Sequence, residues 1–406
     1  MVTTRTRNYE GTENEGEDQA PAADSVYLLL HLPLPQETLA EKRLRWSALL
    51  HSHQYHTVIT SVLAEELPKY THSTVMPTSL SLIMRECVLI LASAPLIFTA
   101  AVDGVLASKI LNSEDLQIEY EHVQSRANIQ PSIYIHLLTD SHGVAPSANQ
   151  YMLIRSMLLK YIDDEDFDPR LAHLIDNTSS PTIPLSSTLQ GYRKYLHTRH
   201  RSPHRISTLR RLCAGIQARY DETPAAARTI PFAHPPGECG YALNSHKRLL
   251  QHRRRHSSNY VMNLVEDICA YLHLQSPGVF PKFHMHQFII YLIFRPQQVR
   301  IAEMFTSGLL QVWVENGGGF NAHPAGLNTT SARRVTREEW EVHESFARGE
   351  GRLDENLRRQ REVVEAVAQG LGDEVGEAWR RAVESEGQGD GNVDYEYNLS
   401  VHRRDA

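Results

Sequence analysis

Apolar positions spaced three to four residues apart dominate the first part of the chain. From Pro35 to Lys69, residues Leu39, Leu44, Trp46, Leu49, Leu50, Val58, Ile59, Val62 and Leu63 fall near helical spacing, which predicts helix with one face turned to a core. Thr78 to Leu111 continues as buried helix. Ahead of them, Ser25 to Leu32 reads as a strand stopped by Pro33 and Pro35, since proline punctuates regular structure. Residues 1–24 are rich in Glu, Gly, Thr and Ala with little to bury, and predict a disordered lead-in.

A second strand, Ser132 to Leu138, leads through Ser141-His142-Gly143 into a helix from Ala148 to Ile162, ended by the acidic run Asp163 to Asp166. The stretch 176–236 has poorer periodicity and carries Pro181, Pro184, Pro203, Pro224, Pro231, Pro235 and Pro236, so a domain boundary is expected within it. Beyond it come a helix from Tyr260 to Leu274, an apolar strand from Gln287 to Phe294 and a helical pattern around Glu303. After Ser331 the chain is highly charged, with Leu353, Leu357, Val364, Val367, Leu371, Val375 and Trp379 at helical spacing. That pattern predicts exposed amphipathic helices.

The resulting expectation is an α+β chain: a helix-rich amino-terminal domain with a few strands, a small α/β carboxy-terminal domain and charged terminal helices. The expected divisions are a lead-in over 1–24, a helix-rich domain over 25–175, a linker with a basic stretch over 176–204, a small domain over 205–335, charged helices over 336–383 and a flexible tail over 384–406.

Composition narrows this picture only a little. With 406 residues, 41% hydrophobic and 22% charged, the chain has the length and make-up of a globular protein of two packed domains. Its net charge of -7 argues against wholesale coating of nucleic acid, which leaves local patches to decide polyanion binding. Cys87, Cys213, Cys239 and Cys269 form no C-x-x-C pair, the usage of a reducing compartment. The first residues hold no apolar stretch, and the run Val88 to Val102 is short and carries Pro95. The expectation is therefore a cytoplasmic or nuclear protein, neither secreted nor membrane-spanning.

Candidate chemistry concentrates between Gly240 and Asn328. Gly240-Tyr241-Ala242-Leu243-Asn244 is followed by Arg248-Leu249-Leu250-Gln251-His252, then by Glu303 in Ile301-Ala302-Glu303-Met304, then by Gly317-Gly318-Gly319-Phe320-Asn321. This order resembles the GIY-YIG nuclease family, and the same stretch resembles a group of uncharacterised proteins of filamentous fungi. The resemblance covers about 90 residues and rests on short motifs: a tyrosine motif, a helix with R-L-x-x-H, a later glutamate and an asparagine beside a glycine turn. It implies a nucleic-acid-associated protein with Tyr241, Arg248, Glu303 and Asn321 as catalytic residues, and Glu303 as the ligand of Mg2+. It implies either a metal-dependent endonuclease or a degenerate fold that binds without cutting and needs no cofactor. Upstream, Thr229 to Cys239 hold no tyrosine, so the family's first tyrosine motif is missing there.

The chemistry suits those residue types. A guanidinium neutralises phosphoryl oxygens through a fixed fork of donors. One carboxylate with waters and phosphate is an ordinary magnesium arrangement. Packing explains the same residues differently: Arg248 and His252 as the exposed face of a helix, Glu303 as a surface position, and Asn316 to Gly319 as a helix cap in which glycine takes positive φ.

A second candidate is cationic. Arg193, Lys194, Arg199, Arg201, Arg205, Arg210 and Arg211 interleave with Tyr192, Tyr195, His197, His200 and His204, and Lys247, Arg253, Arg254 and Arg255 add to them. Such a stretch suits a phosphate backbone, with the tyrosines stacking on bases; as a plain linker it would be solvated. His51, His53 and His56, and His284 with His286, offer weaker metal ligands. G-x-S-x-G, P-loop and G-x-G-x-x-G motifs are not found. The alternative function is non-catalytic: the charged helices over 336–383 dock a protein partner.

Overall fold

The computed structural model describes residues 37–77, 79–256, 259–350 and 352–370. The lead-in over 1–24, the strand expected from Ser25 to Leu32, the positions Leu371, Val375 and Trp379, and the tail from Glu384 lie outside the described residues.

Helices α1 (Leu39–His51), α2 (Tyr55–Glu66), α3 (Leu80–Ala92), α4 (Leu96–Val102), α5 (Leu106–Lys109) and α6 (Glu114–Arg126) precede strand β1 (Ser132–Thr139). Then follow α7 (Ala148–Ile162), α8 (Pro169–Asp176), α9 (Leu185–Leu189), α10 (Pro203–Glu222), β2 (Gly237–Ala242), α11 (Ser245–Arg253) and α12 (Tyr260–Gln275). The described chain ends with β3 (His284–Leu292), α13 (Gln298–Leu310), α14 (Arg337–Gly349) and α15 (Arg352–Gly370). The fold is α+β and helix-rich, as expected.

Local signals set several boundaries. The Thr38 hydroxyl accepts the Glu41 N–H while the Glu41 carboxylate takes the Thr38 N–H, and Ser147 and Gln150 do the same for α7; each box satisfies two donors that a helix start leaves bare. α1 and α2 separate at His53, which adopts φ +56°. Pro95 stands as the N-cap of α4 and divides the apolar run, so that α3 and α4 meet at 108°. Among the described residues no single helix is long and apolar enough to cross a membrane.

The sheet is antiparallel in the order β2-β1-β3. Tyr134 stands opposite Gly240, and His136 opposite Glu238 on one side and Gln287 on the other. Every residue of the central strand β1 is buried. One core joins α1–α6, α13 and the sheet; a second joins α7, α8, α10, α12, Leu138, Met285 and the turn residues Val314 and Phe320.

Three expectations change. The sheet takes β1 from the 25–175 part and β2 and β3 from the 205–335 part, so the division into two domains dissolves: a central strand cannot be parted from its neighbours without baring its N–H and C=O groups. The linker over 176–204 is built into the second core, with Arg193, Tyr195 and Leu196 buried. The third strand begins at His284 and leaves the ladder after Leu292, although Ile293 and Phe294 stay in the core.

The charged helices fold back on the chain itself. Trp340, Leu353, Val364 and Ala368 are buried, and Asn356 Nδ2 donates to Ala92 O at 2.8 Å. Their apolar side covers α3, leaving mainly charged faces outward.

Candidate site at the free edge of β2

β2 is the outer strand, and its outward groups are met by side chains and by a returning loop. Gly237 exchanges backbone bonds with Gly318 and Phe320. Asn321 Oδ1 accepts the Cys239 N–H at 3.1 Å and its Nδ2 donates to Cys239 O at 2.9 Å. The Asn321 amide thus serves as a ladder partner for the strand. The glycine run does not cap α13, which ends at Leu310 with Gln311 at φ +53°; Gly317, at φ +66°, closes the turn Val314–Asn316.

Two residues further along the edge, Glu303 of α13 accepts a hydrogen bond from the Tyr241 backbone and, through Oε2, from Gly326 N–H at 3.0 Å. Burial is the largest influence on this carboxyl and pushes it up; the two N–H groups and Arg248 pull it down, Glu238 pushes it up again, and the balance is about 7.

Side chains alternate across a strand, so Gly240 and Tyr241 face opposite sides of the sheet. On the Gly240 side lies the ring of Tyr134. Its hydroxyl is 3.4 Å from Arg248 Nε and 3.2 Å from His252 Nε2. Arg248 and His252 are one helical turn apart on α11, which Asn244 caps by accepting the Lys247 N–H at 2.8 Å. Burial raises the Tyr134 phenol well above its usual range and lowers the His252 imidazole to about 4. A neutral His252 therefore faces a protonated phenol.

Behind this pair, His136 Nδ1 meets Glu238 Oε2 at 2.6 Å, Gln287 Nε2 lies 3.1 Å from His136 Nε2, and the His136 and His252 rings stand 4.6 Å apart. Burial would raise Glu238, but its bond to His136 and its electrostatic interaction with the His136 and His252 rings hold it below the usual carboxylate value. For Arg248 burial opposes the charge, yet Tyr134, Glu238 and Glu303 outweigh it and raise the guanidinium. Among the described residues the two terminal nitrogens of Arg248 have no hydrogen-bond partner.

The structure thus sets Arg248 and Glu303 within electrostatic reach of each other without an ion pair, and Tyr241 joins Glu303 through its backbone. The Tyr241 hydroxyl turns to the far side, 3.5 Å from Ser331 Oγ; the phenol beside Arg248 is Tyr134. Sequence reading missed Tyr134, His136 and Glu238. The signal was present: in β1, Ile133, Ile135 and Leu137 alternate with Tyr134 and His136, two polar-tipped rings on one face of an otherwise apolar strand.

The cationic stretch divides. Arg193 and Tyr195 are buried, and the Tyr195 hydroxyl bonds Asp267, which removes that ring from any base-stacking role. Arg201 pairs with Asp164, Arg205 donates to Tyr195 O and His197 O, and Arg211 pairs with Glu315. Arg199, Arg210, Lys247, Arg253 and Arg254 are exposed.

Among the described residues no cluster of three or more His, Cys, Asp or Glu side chains is set to hold a metal ion. His51 bonds Asp103 at 3.0 Å, and His286 bonds Asp140 O at 2.9 Å. Two cavities lie apart from the β2 edge. One, of about 400 Å³, lies among Leu96, Ile118, Phe294, Phe346 and Leu353; the other, open and about 600 Å³, lies along α10 beside Arg201, Arg210 and Arg211.

Comparison of the chain with protein-family models, curated proteins and solved structures gives no match.

Proposed function

We propose that the free edge of β2 is a phosphodiester site in a nucleic-acid-processing protein of the GIY-YIG kind, with magnesium-dependent strand cleavage as its reaction. The observation that carries this reading is Arg248. It is half-buried, fixed at Nε by the Tyr134 hydroxyl, and presents two unpartnered terminal nitrogens within electrostatic reach of Glu303, with which it forms no ion pair. A planar fork of donors held in this way suits two oxygens of a phosphoryl group. Tyr134 supplies the phenol that the residues just before Gly240 lack.

Magnesium fits the donor set in part. A carboxylate has about four lone-pair positions, and two backbone N–H groups occupy Glu303, which leaves it able to take one cation whose other ligands are water and phosphate. When bound, such an ion stabilises the leaving oxygen. The chain's own residues do the rest. Arg248 holds and neutralises the phosphoryl oxygens, Tyr134 fixes the guanidinium, and neutral His252 accepts the hydrogen bond of the Tyr134 hydroxyl.

A second reading, binding without cutting, is favoured by one observation: the carboxyl of Glu303 stands near 7 and serves two backbone groups. The experiment is nicking of supercoiled plasmid with magnesium or manganese, alongside anisotropy binding of a labelled oligonucleotide. Glu303→Gln is expected to keep binding and abolish nicking, and Arg248→Ala to weaken both. Wild-type protein that binds but never nicks decides for the second reading; protein that does neither removes the nucleic-acid role.

A further inference from the structure

The charged helices α14 and α15 meet α4, α6 and β3 around a cavity of about 400 Å³, a volume within the roughly 300–1,000 Å³ of small-molecule sites. Leu96, Ile118, Val123, Phe294, Phe346 and Leu353 give it apolar walls.

The polar groups of the lining share one character. Ser93 Oγ donates to Leu89 O at 2.7 Å, so it receives the proton of the Tyr291 hydroxyl 3.0 Å away; the Tyr291 oxygen keeps lone pairs and has nothing left to donate. Gln130 uses its Nε2 on Ile293 O and its Oε1 on Arg126 Nε. Glu119 accepts the Ile97 N–H at 3.0 Å and pairs with Arg352, the one guanidinium in the lining. Asp115 and Glu350 also line the cavity, are exposed, and enter no ion pair among the described residues. His122 is the remaining titratable side chain at the exposed rim. Arg126 lies 3.8 Å from the Phe346 ring centroid and interacts with Glu350. Even with it counted, three carboxylates face two guanidinium groups. What the cavity offers a ligand is acceptors and negative charge.

We propose that this cavity binds a small amphiphilic amine, its apolar body on the walls and its ammonium at Asp115 and Glu350. An ammonium has three donors and no acceptor, which answers both the charge and the hydrogen-bond polarity of the lining, whereas a carboxylate or phosphate of the same bulk would meet like charge. The amine also ties α14 and α15 to the core and stabilises the folded chain by mass action. The site lies at β3, the other outer strand, and needs nothing from the β2 edge.

The test is calorimetric titration of the full-length protein with naphthylethylamine and, as the matched anion, naphthylpropanoate. The amine is expected to bind, and the carboxylate to bind weaker by about tenfold or more. The double variant Asp115→Asn/Glu350→Gln changes only exposed positions and should lose on the order of tenfold in amine affinity, the scale of two exposed ion pairs. Ala347→Phe, which places a ring in the cavity, should remove binding of both probes, with circular dichroism confirming the fold of each variant. Equal binding of the two probes, an unchanged amine affinity in the acid double variant, or no amine binding up to its solubility limit each overturns the site. Amine binding that persists in folded Ala347→Phe protein puts the ligand elsewhere and overturns it as well.

Discussion

Gly240 leaves the space that the tip of Tyr134 fills: a Cβ built on Gly240 would stand 2.4 Å from the Tyr134 hydroxyl oxygen. The two residues are cross-strand partners, so the ring cannot slide past the obstruction without leaving Arg248 and His252. Gly240→Ala is expected to destabilise the fold by about 1–3 kcal/mol, the usual cost of overpacking, and to weaken oligonucleotide binding. Urea denaturation gives the first number and anisotropy the second. A variant as stable as wild type would show that Tyr134 has somewhere else to go.

Glu303 makes stability depend on pH in a way that can be isolated. Its carboxyl titrates near 7 when folded, against an ordinary value of 4.5. Between those values the folded chain binds more protons than the unfolded one, so stability falls as pH rises through this window. The full effect is on the order of 3–4 kcal/mol, because each tenfold change in proton affinity is worth about 1.4 kcal/mol. Asp176, raised to about 6, and Asp267, also raised, act in the same direction, and the lowered His252 and His234 act in the opposite one. The informative quantity is therefore the difference between wild type and Glu303→Gln. The variant is expected to gain relative stability from pH 5 to pH 8; parallel curves would place this carboxyl at its ordinary value.

Arg193 is expected to be indispensable to the second core. Its Nη1 donates to Tyr161 O at 2.8 Å and to Asp163 O at 2.6 Å, it pairs with Asp164, and its guanidinium lies 4.5 Å from the Phe167 ring centroid. Arg193→Ala leaves two carbonyls without their donor and opens a cavity, an expected loss of about 3–5 kcal/mol. Arg193→Lys should restore little, since an ammonium cannot reproduce the fork. A change in urea midpoint equivalent to less than about 1 kcal/mol, the scale of an exposed ion pair, would return the residue to the surface role that the sequence suggested.

That contrast shows what the sequence could carry. Ser132 to Leu138 and Ala148 to Ile162 were legible almost to the residue, because an apolar strand and a capped amphipathic helix announce themselves within a window of a dozen positions. Arg248 and Glu303 stood out as candidates for the same reason: each sits in a short, distinctive run. Tyr134 was not, because its partnership with Arg248 spans the whole of α7 to α10 and depends on β1 lying between β2 and β3. Arg193 and Tyr195 were misplaced on the surface since a charged or polar-tipped side chain is buried only when partners are brought to it, and Asp164 and Asp267 arrive from other elements. Asn321, expected beside a glycine turn as a catalytic residue, instead has its amide engaged by the Cys239 backbone.

Tyr134→Phe separates the two jobs that its hydroxyl could have at this site. The hydroxyl bonds both Arg248 Nε and His252 Nε2, while the ring packs over Gly240 and is buried. Phenylalanine keeps the ring and its packing, so the fold should hold within about 1 kcal/mol of wild type, the typical net contribution of one hydrogen bond. If the hydroxyl takes part in proton transfer, magnesium-dependent nicking should fall by about 10²-fold or more, with oligonucleotide affinity changed little. If it only fixes Arg248, affinity and nicking should fall together, because the freed guanidinium loses the orientation that makes its fork useful. Nicking and binding both at wild-type levels would reduce Tyr134 to a packing residue, and the phenol beside Arg248 would no longer support a nuclease reading of the β2 edge.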